Sequence, residues 1–345
     1  MQPTNRPKFD IARKVTGWAA DLEMDVRRFF TDLQYKITHL PETNYLLGVR
    51  FAGEGKLRDA ILRFRVSLYF APQYAPSWYY LGRCYLATGE REKASAALIK
   101  SLTIDAAQPD AKYLLATIDE RILRLEDRPQ KMPAHMMEDF FASVATHYNE
   151  MERAAGYGLP EPCYRWVRPK LSNAAYSVLD MGCGTGLSAM PWRKEAKEII
   201  GVDSVSAMAE RARYARVEGE QVFDAVLTQD AATLAKQVPH SQSEGGFDVV
   251  LLINVLAYAG EPTALIRSAA AHIKESGMVL ITIEPYLGDA GFGVVAATSR
   301  FGHKADYLTK IASDAGLTRI DQTQISMYVD NKVLALLFAK NAVAA

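Results

Sequence analysis

The sequence predicts an all-α repeat segment followed by an α/β domain with a doubly wound parallel sheet of seven strands. Three observations predict it. The first half places apolar residues at steps of three and four and repeats itself with a period of 34 residues. The second half alternates short apolar runs with helical stretches, the pattern of a parallel sheet with helices on both faces. The first of those runs ends in three alternate glycines, which marks a strand passing into a ligand-binding turn.

Composition sets the limits. The chain has 345 residues, room for two or three domains, and its 40 basic and 40 acidic side chains cancel. A neutral chain is a poor match for phosphate neutralisation, so nucleic acid is not an expected partner. Hydrophobic residues at 49% and charged residues at 23% suit a folded chain. Cys84, Cys163 and Cys183 are isolated, so neither a disulfide framework nor a structural metal site is expected. The opening MQPTNRPKFD is polar and reads as no secretory signal. The longest apolar run, from Val249 to Ala259, is interrupted by Asn254 and is too short to cross a bilayer. A cytoplasmic protein without a membrane partner is the expectation.

From Phe9, the residues Ile11, Val15, Trp18, Leu22, Val26, Phe29 and Leu33 define one buried face of a long helix over the first 40 residues, limited by Pro41. Leu47-Gly48 then recurs as Leu81-Gly82, Phe51 as Tyr85, Gly55 as Gly89, Ala60 as Ala94 and Phe64 as Leu98. Trp78 supplies a large aromatic and Pro72 a closing proline, which Ala106 replaces in the second copy. Over residues 41–126 this resembles the tetratricopeptide repeat, in which small residues let paired helices approach closely. A helix from Ala111 to Leu125 is expected to cap the stack. Such repeats offer a groove for a partner or a surface for self-association, and a plain helical strut is the competing reading.

Residues 127–170 read as a polar linker followed by lid helices, the first with Met137, Phe141, Val144, Tyr148 and Met151 on one face. From residue 171 the expected strands are Tyr176–Met181, Glu198–Asp203, Val222–Leu227, Phe247–Ile253, Met278–Ile283, Leu317–Gln322 and Lys332–Lys340. No helix separates the last two, so they are expected to pair antiparallel.

The first strand ends as Val178-Leu179-Asp180-Met181-Gly182-Cys183-Gly184-Thr185-Gly186. Alternate glycines let a ligand approach main chain, and a following helix N-terminus would offer free N–H groups. The second strand closes in Gly201-Val202-Asp203, where a carboxylate can accept from both ribose hydroxyls. Together they specify a nucleoside-bearing ligand. A dinucleotide fingerprint needs GxGxxG, whereas the spacing here is GxGxG.

That string resembles the class I S-adenosylmethionine-dependent methyltransferase signature, VLDxGCGTG, with Met181 at the variable position. Gln229-Asp230-Ala231, Gly246-Phe247-Asp248-Val249-Val250 and His272-Ile273-Lys274-Glu275-Ser276-Gly277 are similar to further motifs of that family, so the resemblance covers residues 171–345. It implies a Rossmann-like fold, S-adenosylmethionine as cofactor and these roles. Gly182, Gly184 and Gly186 pass the methionine part and ribose, and Asp180 lies near the cofactor amino group. Asp203 holds the ribose, Ser204 and Met208 flank the adenine, Asp230 and Ala231 contact it, and Asn254 faces the methionine end. Asp230 also fits a helix N-cap, and Met208 also fits plain core.

The implied activity is methyl transfer to an oxygen or nitrogen of a small molecule, peptide or protein, with no metal. Position near the strand ends makes Tyr258, Glu284 and His303 candidate catalytic groups, and Tyr148 on the lid helix is a fourth. The segment Gly288–Arg300 reads as a glycine-rich acceptor-side loop. The alternative is a repeat scaffold whose second domain binds the cofactor without turnover.

Overall fold

A computed structural model describes residues 11–172 and 175–340, with side chains described from residue 23 onward apart from 32, 33 and 35–37. The chain separates into two compact units with the boundary between Ala111 and Lys112.

The first unit is helical: α1 (Ile11–Gly53), α2 (Leu57–Phe70), α3 (Ala75–Ala87), α4 (Arg91–Ile104) and the start of α5 (Pro109–Asp119). Paired helices approach through glycines. A Cβ on Gly48 would lie 2.6 Å from the Phe64 ring, and one on Gly82 would lie 2.8 Å from Leu98 Cγ. Trp78 Nε1 donates to the Pro72 carbonyl at 2.9 Å, which ties the repeat's aromatic to its closing proline. Replacing Gly82 with leucine is expected to lower stability by about 1–3 kcal/mol through overpacking. A melting temperature no lower than that of the parent chain would contradict this packing.

Two sequence expectations change here. Pro41 lies inside α1 instead of ending it. Tyr45, Val49, Phe51 and Ala52 pack on the core formed by α2 and α3, and that packing holds the helix past the proline. Along the earlier part of α1, Val26 and Phe29 are exposed, as are Met24 and Phe30. The expected buried face is therefore open at these residues, and the side chains of Ile11, Val15, Trp18, Leu22 and Leu33 lie outside the described set.

In the second unit come α6 (Ala134–Val144), α7 (Tyr148–Ala154) and α8 (Pro160–Val167), then β1 (Tyr176–Met181), β2 (Ala196–Asp203) and α9 (Ser206–Arg213). A small hairpin, β3 (Arg216–Val217) with β4 (Glu220–Gln221), precedes β5 (Ala225–Thr228). There follow β6 (Phe247–Leu252), α10 (Leu256–Ala259), α11 (Thr263–His272), β7 (Ile273–Pro285), β8 (Phe292–Val295), β9 (Arg300–His303), α12 (Ala305–Asp314), β10 (Leu317–Tyr328) and β11 (Asn331–Lys340).

The sheet order is β10-β11-β7-β6-β1-β2-β5, with β11 antiparallel to both its neighbours and the other pairs parallel. Every residue of β1 and β6 is buried, as expected for strands covered on both faces. One core cluster holds Leu179, Met181, Val250, Leu252 and Ile281 with α11 and α12; the other holds Val178, Ile199, Val249 and Leu251 with α8 and Trp192. The chain moves outward from β1 to β2 and β5, then returns to the other side of β1 with β6. The C-terminal ends of β1 and β6 therefore flank the switch point where ligands bind in such sheets.

Three further differences concern the site. The segment after Gly186 forms turns and a single 3-10 turn at Met190–Trp192 instead of an α-helix, because Trp192 is drawn fully into the core. The expected strand Val222–Leu227 begins only at Ala225, since Val222 and Phe223 turn inward to pack beneath the glycine turn. The glycine-rich segment 288–302 is largely a β-hairpin, β8 with β9, whose second strand runs parallel to the end of β7. Buried Glu120 anchors that hairpin by accepting from the Val294 amide at 2.8 Å and from the Tyr286 hydroxyl.

Candidate active site

The ends of β1, β2 and β6 open into a cleft of about 640 Å³. Its floor is the turn after β1. Gly182 and Cys183 both donate their amides to the Val202 carbonyl, at 2.7 and 3.0 Å, which bends the chain over the end of β2. Gly182, Gly184 and Gly186 all have positive φ, a region that side chains rarely adopt. Their surroundings differ. A Cβ on Gly182 would strike Val255 at 2.6 Å, and one on Gly186 would strike Phe223 at 2.9 Å. A Cβ on Gly184 would stand in open cleft, with its nearest neighbour Met208 Cε 3.9 Å away. Gly182 and Gly184 line the cleft, whereas Gly186 serves packing beneath it.

Asp203 closes the turn. Its Oδ2 accepts from the Gly184 amide at 2.8 Å and its Oδ1 from the Val205 amide at 2.8 Å. Burial raises its carboxyl pKa, and the two amides work against that rise. Each oxygen keeps a further lone pair at the cleft edge. Asp180 lies one layer deeper, fully buried, and neither of its oxygens has a hydrogen-bond partner among the described residues. Burial, with the Asp203 charge adding to it, pushes its pKa up to about 8. A buried carboxyl group with no partner is costly and calls for a cation or donor beside it.

The other expected cofactor residues gather around this turn. Ser204, Met208, Asp230, Ala231 and Asn254 all line the cleft. Asp230 does so while also acting as the anticipated cap: its Oδ1 accepts from the Ala232 amide at 2.9 Å. Asn254 has φ of 60° and donates its amide to Thr282 Oγ1 at 2.7 Å, which locks an uncommon backbone conformation at the end of β6.

The roof comes from the segment before the sheet. Phe141 and Ala145 pack on Val205 and Met208, with Met137, Tyr148 and Tyr258 beside them. Asn149 Oδ1 accepts from Thr185 Oγ1 at 2.5 Å and pins α7 to the glycine turn. Tyr157 also lines the cleft. Sequence reading did not assign Asn149, Tyr157 or Thr185 to the site. The Thr185 hydroxyl inside the glycine string was the one available signal.

The four candidate catalytic residues divide. Tyr148 and Tyr258 line the cleft, and desolvation raises both phenol pKa values, so they stay protonated at neutral pH. His303 does not reach it. Pairing of β9 with β7 and β8 buries the ring against Phe292, 5.8 Å between centroids, and Nε2 lies 2.6 Å from the Gly260 carbonyl. Burial lowers its pKa to about 4, so the imidazole is neutral and donates to that carbonyl. Glu284 is likewise set apart, with both oxygens accepting from Thr298 Oγ1 at 3.0 Å.

A family model described as a methyltransferase domain matches residues 111–322, more than half of the chain. The chain belongs to this methyltransferase-domain family. A tetratricopeptide-repeat model matches residues 51–118. Among curated relatives, the ubiquinone biosynthesis O-methyltransferase of Xanthomonas euvesicatoria pv. vesicatoria is 30% identical over 117 residues, 34% of this chain and 46% of the relative. The protein of the same name from Mesorhizobium japonicum is 25% identical over 164 residues, 43% of this chain and 62% of the relative. The chain spans about half the length of the curated relatives it matches. Among solved structures, the magnesium protoporphyrin IX methyltransferase of Synechocystis PCC 6803 with bound SAM is 19% identical with a TM-score of 0.45, covering 60% of this chain and 96% of that one. No described helix of this methyltransferase-domain protein is long and apolar enough to cross a membrane.

Proposed function

We propose that the chain is an S-adenosylmethionine-dependent methyltransferase that acts on an oxygen or nitrogen of a small-molecule or peptide acceptor. The single observation that carries this reading is the Asp203 carboxylate. It is held by two backbone amides, one of them from Gly184 in the glycine turn, and its charge acts on the unpartnered Asp180.

The residues present fit the cofactor. Open space over Gly184 admits a ribose against main chain, and Asp203 would accept from its hydroxyls. Asp180 would meet the cationic amino group directly or through water, and Met208, Asp230 and Ala231 would enclose the adenine. When bound, the sulfonium supplies a methyl group already activated toward displacement. The chain's own part is then to align the acceptor and exclude water, and an amine or hydroxyl acceptor must also give up its proton, to a base or to water, as the methyl arrives. Phe141, Tyr148 and Tyr258 form the dry wall on the acceptor side, and the two protonated phenols are suited to hydrogen-bond an acceptor heteroatom. The names of the curated relatives favour oxygen as the acceptor atom.

Residues 41–126 would act as a recognition or dimerisation arm, residues 127–170 as linker and lid, and residues 171–345 as the methyl-transfer domain. Three free, buried cysteines accord with a reducing cytoplasm.

Calorimetric titration with S-adenosylmethionine tests the reading, with saturable one-site binding as the expected result. Gly184→Asp should abolish that binding while the chain still melts cooperatively, because a carboxylate would fill the space over the turn on a backbone that disfavours side chains. Unchanged binding by this variant would contradict the assignment of the cleft.

A further inference from the structure

The first part of α1 runs with its described side chains open to solvent. Every side chain from Glu23 to Thr31 is exposed, Val26 and Phe29 of the apolar stripe among them. A helix in a folded protein gains most of its stability by burying an apolar face, and an open stripe of this kind marks an interaction surface.

The stripe has a symmetry of its own. Its apolar residues step by 4, 3 and 4 from Ile11 to Leu22, and by 4, 3 and 4 again from Leu22 to Leu33. A repeat of 11 residues keeps the stripe on one side of the helix, since about 3.67 residues per turn is close to the α-helical value of about 3.6. The steps also read the same in both directions about Leu22. Two copies laid antiparallel, with Leu22 at a two-fold axis, would therefore set apolar residue against apolar residue along the whole stripe. Ile11 meets Leu33, Val15 meets Phe29 and Trp18 meets Val26. In the last two pairs a large ring faces a small branched side chain, the alternation that lets facing layers interdigitate. An isologous interface needs this self-complementarity. Each copy brings seven apolar side chains to the pair. At roughly 100 Å² apiece they would bury about 1,400 Å² in total, inside the range of specific interfaces. Between Ile11 and Leu40 the helix carries five Lys or Arg and four Asp or Glu. That balance suits a second copy of the same helix and lacks the basic excess of a helix that lies on an anionic membrane.

We propose that the chain forms a homodimer through α1, two copies pairing antiparallel along the stripe from Ile11 to Leu33 with Leu22 at the two-fold axis. This goes beyond the methyl-transfer reading and does not depend on it. Self-association then lies in the helix that precedes the repeats, and the repeats keep their own surface.

The test is sedimentation equilibrium of the full chain from about 1 to 50 µM, which should show two chains per particle with a dissociation constant of about 10 µM or tighter. Replacing Val26 and Phe29 together by glutamate should weaken the dimer at least about a hundredfold, because each chain would then bury two carboxylates in the pair. Both positions are exposed within the chain, so this variant is expected to melt like the parent. Direction is read by disulfide formation, and the buried Cys84, Cys163 and Cys183 leave an introduced thiol to react alone. Leu22→Cys should cross-link to its copy across the axis. Phe29→Cys should not, since the two copies of that position stand about 21 Å apart in the antiparallel pair. A monomer throughout the concentration range overturns the proposal; its binding to phosphatidylcholine vesicles with about 30% phosphatidylserine would reassign the stripe to a membrane surface. A dimer undiminished by the two glutamates, or Phe29→Cys cross-linking as readily as Leu22→Cys, also overturns it.

Discussion

Replacing Asp203 with alanine is expected to weaken S-adenosylmethionine binding by about a hundredfold or more, the largest loss of any single side-chain truncation in the cleft. Two effects add. Hydrogen bonds from ribose hydroxyls to a carboxylate are each worth about 1.5–3 kcal/mol. The same truncation strips the Gly184 and Val205 amides of their acceptor, and those amides shape the turn on which the ribose would rest. Asn at this position should be intermediate. Its carbonyl oxygen can satisfy one amide, while its NH₂ group faces the other donor. Calorimetry with all three chains, alongside their melting temperatures, separates loss of contact from loss of fold. Equal affinities for the parent and the alanine chain would remove Asp203 from the site.

The second large effect is a pH dependence centred on Asp180. Burial raises its pKa from near 4 in an unfolded chain to about 8 in the folded one. Between those values the folded state holds a proton that the unfolded state has lost. The ligand-free protein should therefore lose stability as pH rises from about 4 to about 8, and no further on this account above that. A cationic amino group placed beside Asp180 favours the carboxylate, so binding near neutral pH should release a proton. Affinity should then rise by up to about tenfold per pH unit while pH remains below 8. The released proton appears as a binding heat that varies with the ionisation enthalpy of the buffer. Asp180→Asn should abolish that variation and flatten the pH profile. A parent chain that releases no proton at pH 7 would place the cofactor's amino group away from Asp180.

Much of this site could be read from the chain because its parts are local. The string Asp180 to Gly186 and the strand-end Asp203 announce themselves by residue type and spacing, and each expected cofactor residue except Asp180 and Gly186 lines the cleft. Asp180 lies beneath it, and Gly186 faces Phe223 because alternate glycines in a tight turn point in different directions. The catalytic candidates were less legible. Position near the strand ends suggested Glu284, and His303 was suggested by the glycine-bearing segment before it and the helix after it, yet the β8–β9 pairing turned one toward Thr298 and the other toward the Gly260 carbonyl. That hairpin was hidden by its glycines, which read as a loop. Gly293, for example, leaves room for the Glu120 carboxylate, since a Cβ there would stand 2.3 Å from Glu120 Oε2. In the helical unit, Pro41 looked like a terminus because its local cost is plain in sequence, whereas the packing of Tyr45 and Val49 that outweighs it is tertiary.

The most direct measurement is a crystal structure of the full chain with S-adenosylhomocysteine. The ribose should lie over Gly184 with both hydroxyls on the Asp203 carboxylate, the amino group near Asp180 and the thioether pointing toward Tyr148 and Tyr258. The nucleoside bound anywhere else, or Asp203 swung away from the ribose with its two amides unpaired, would contradict this placement.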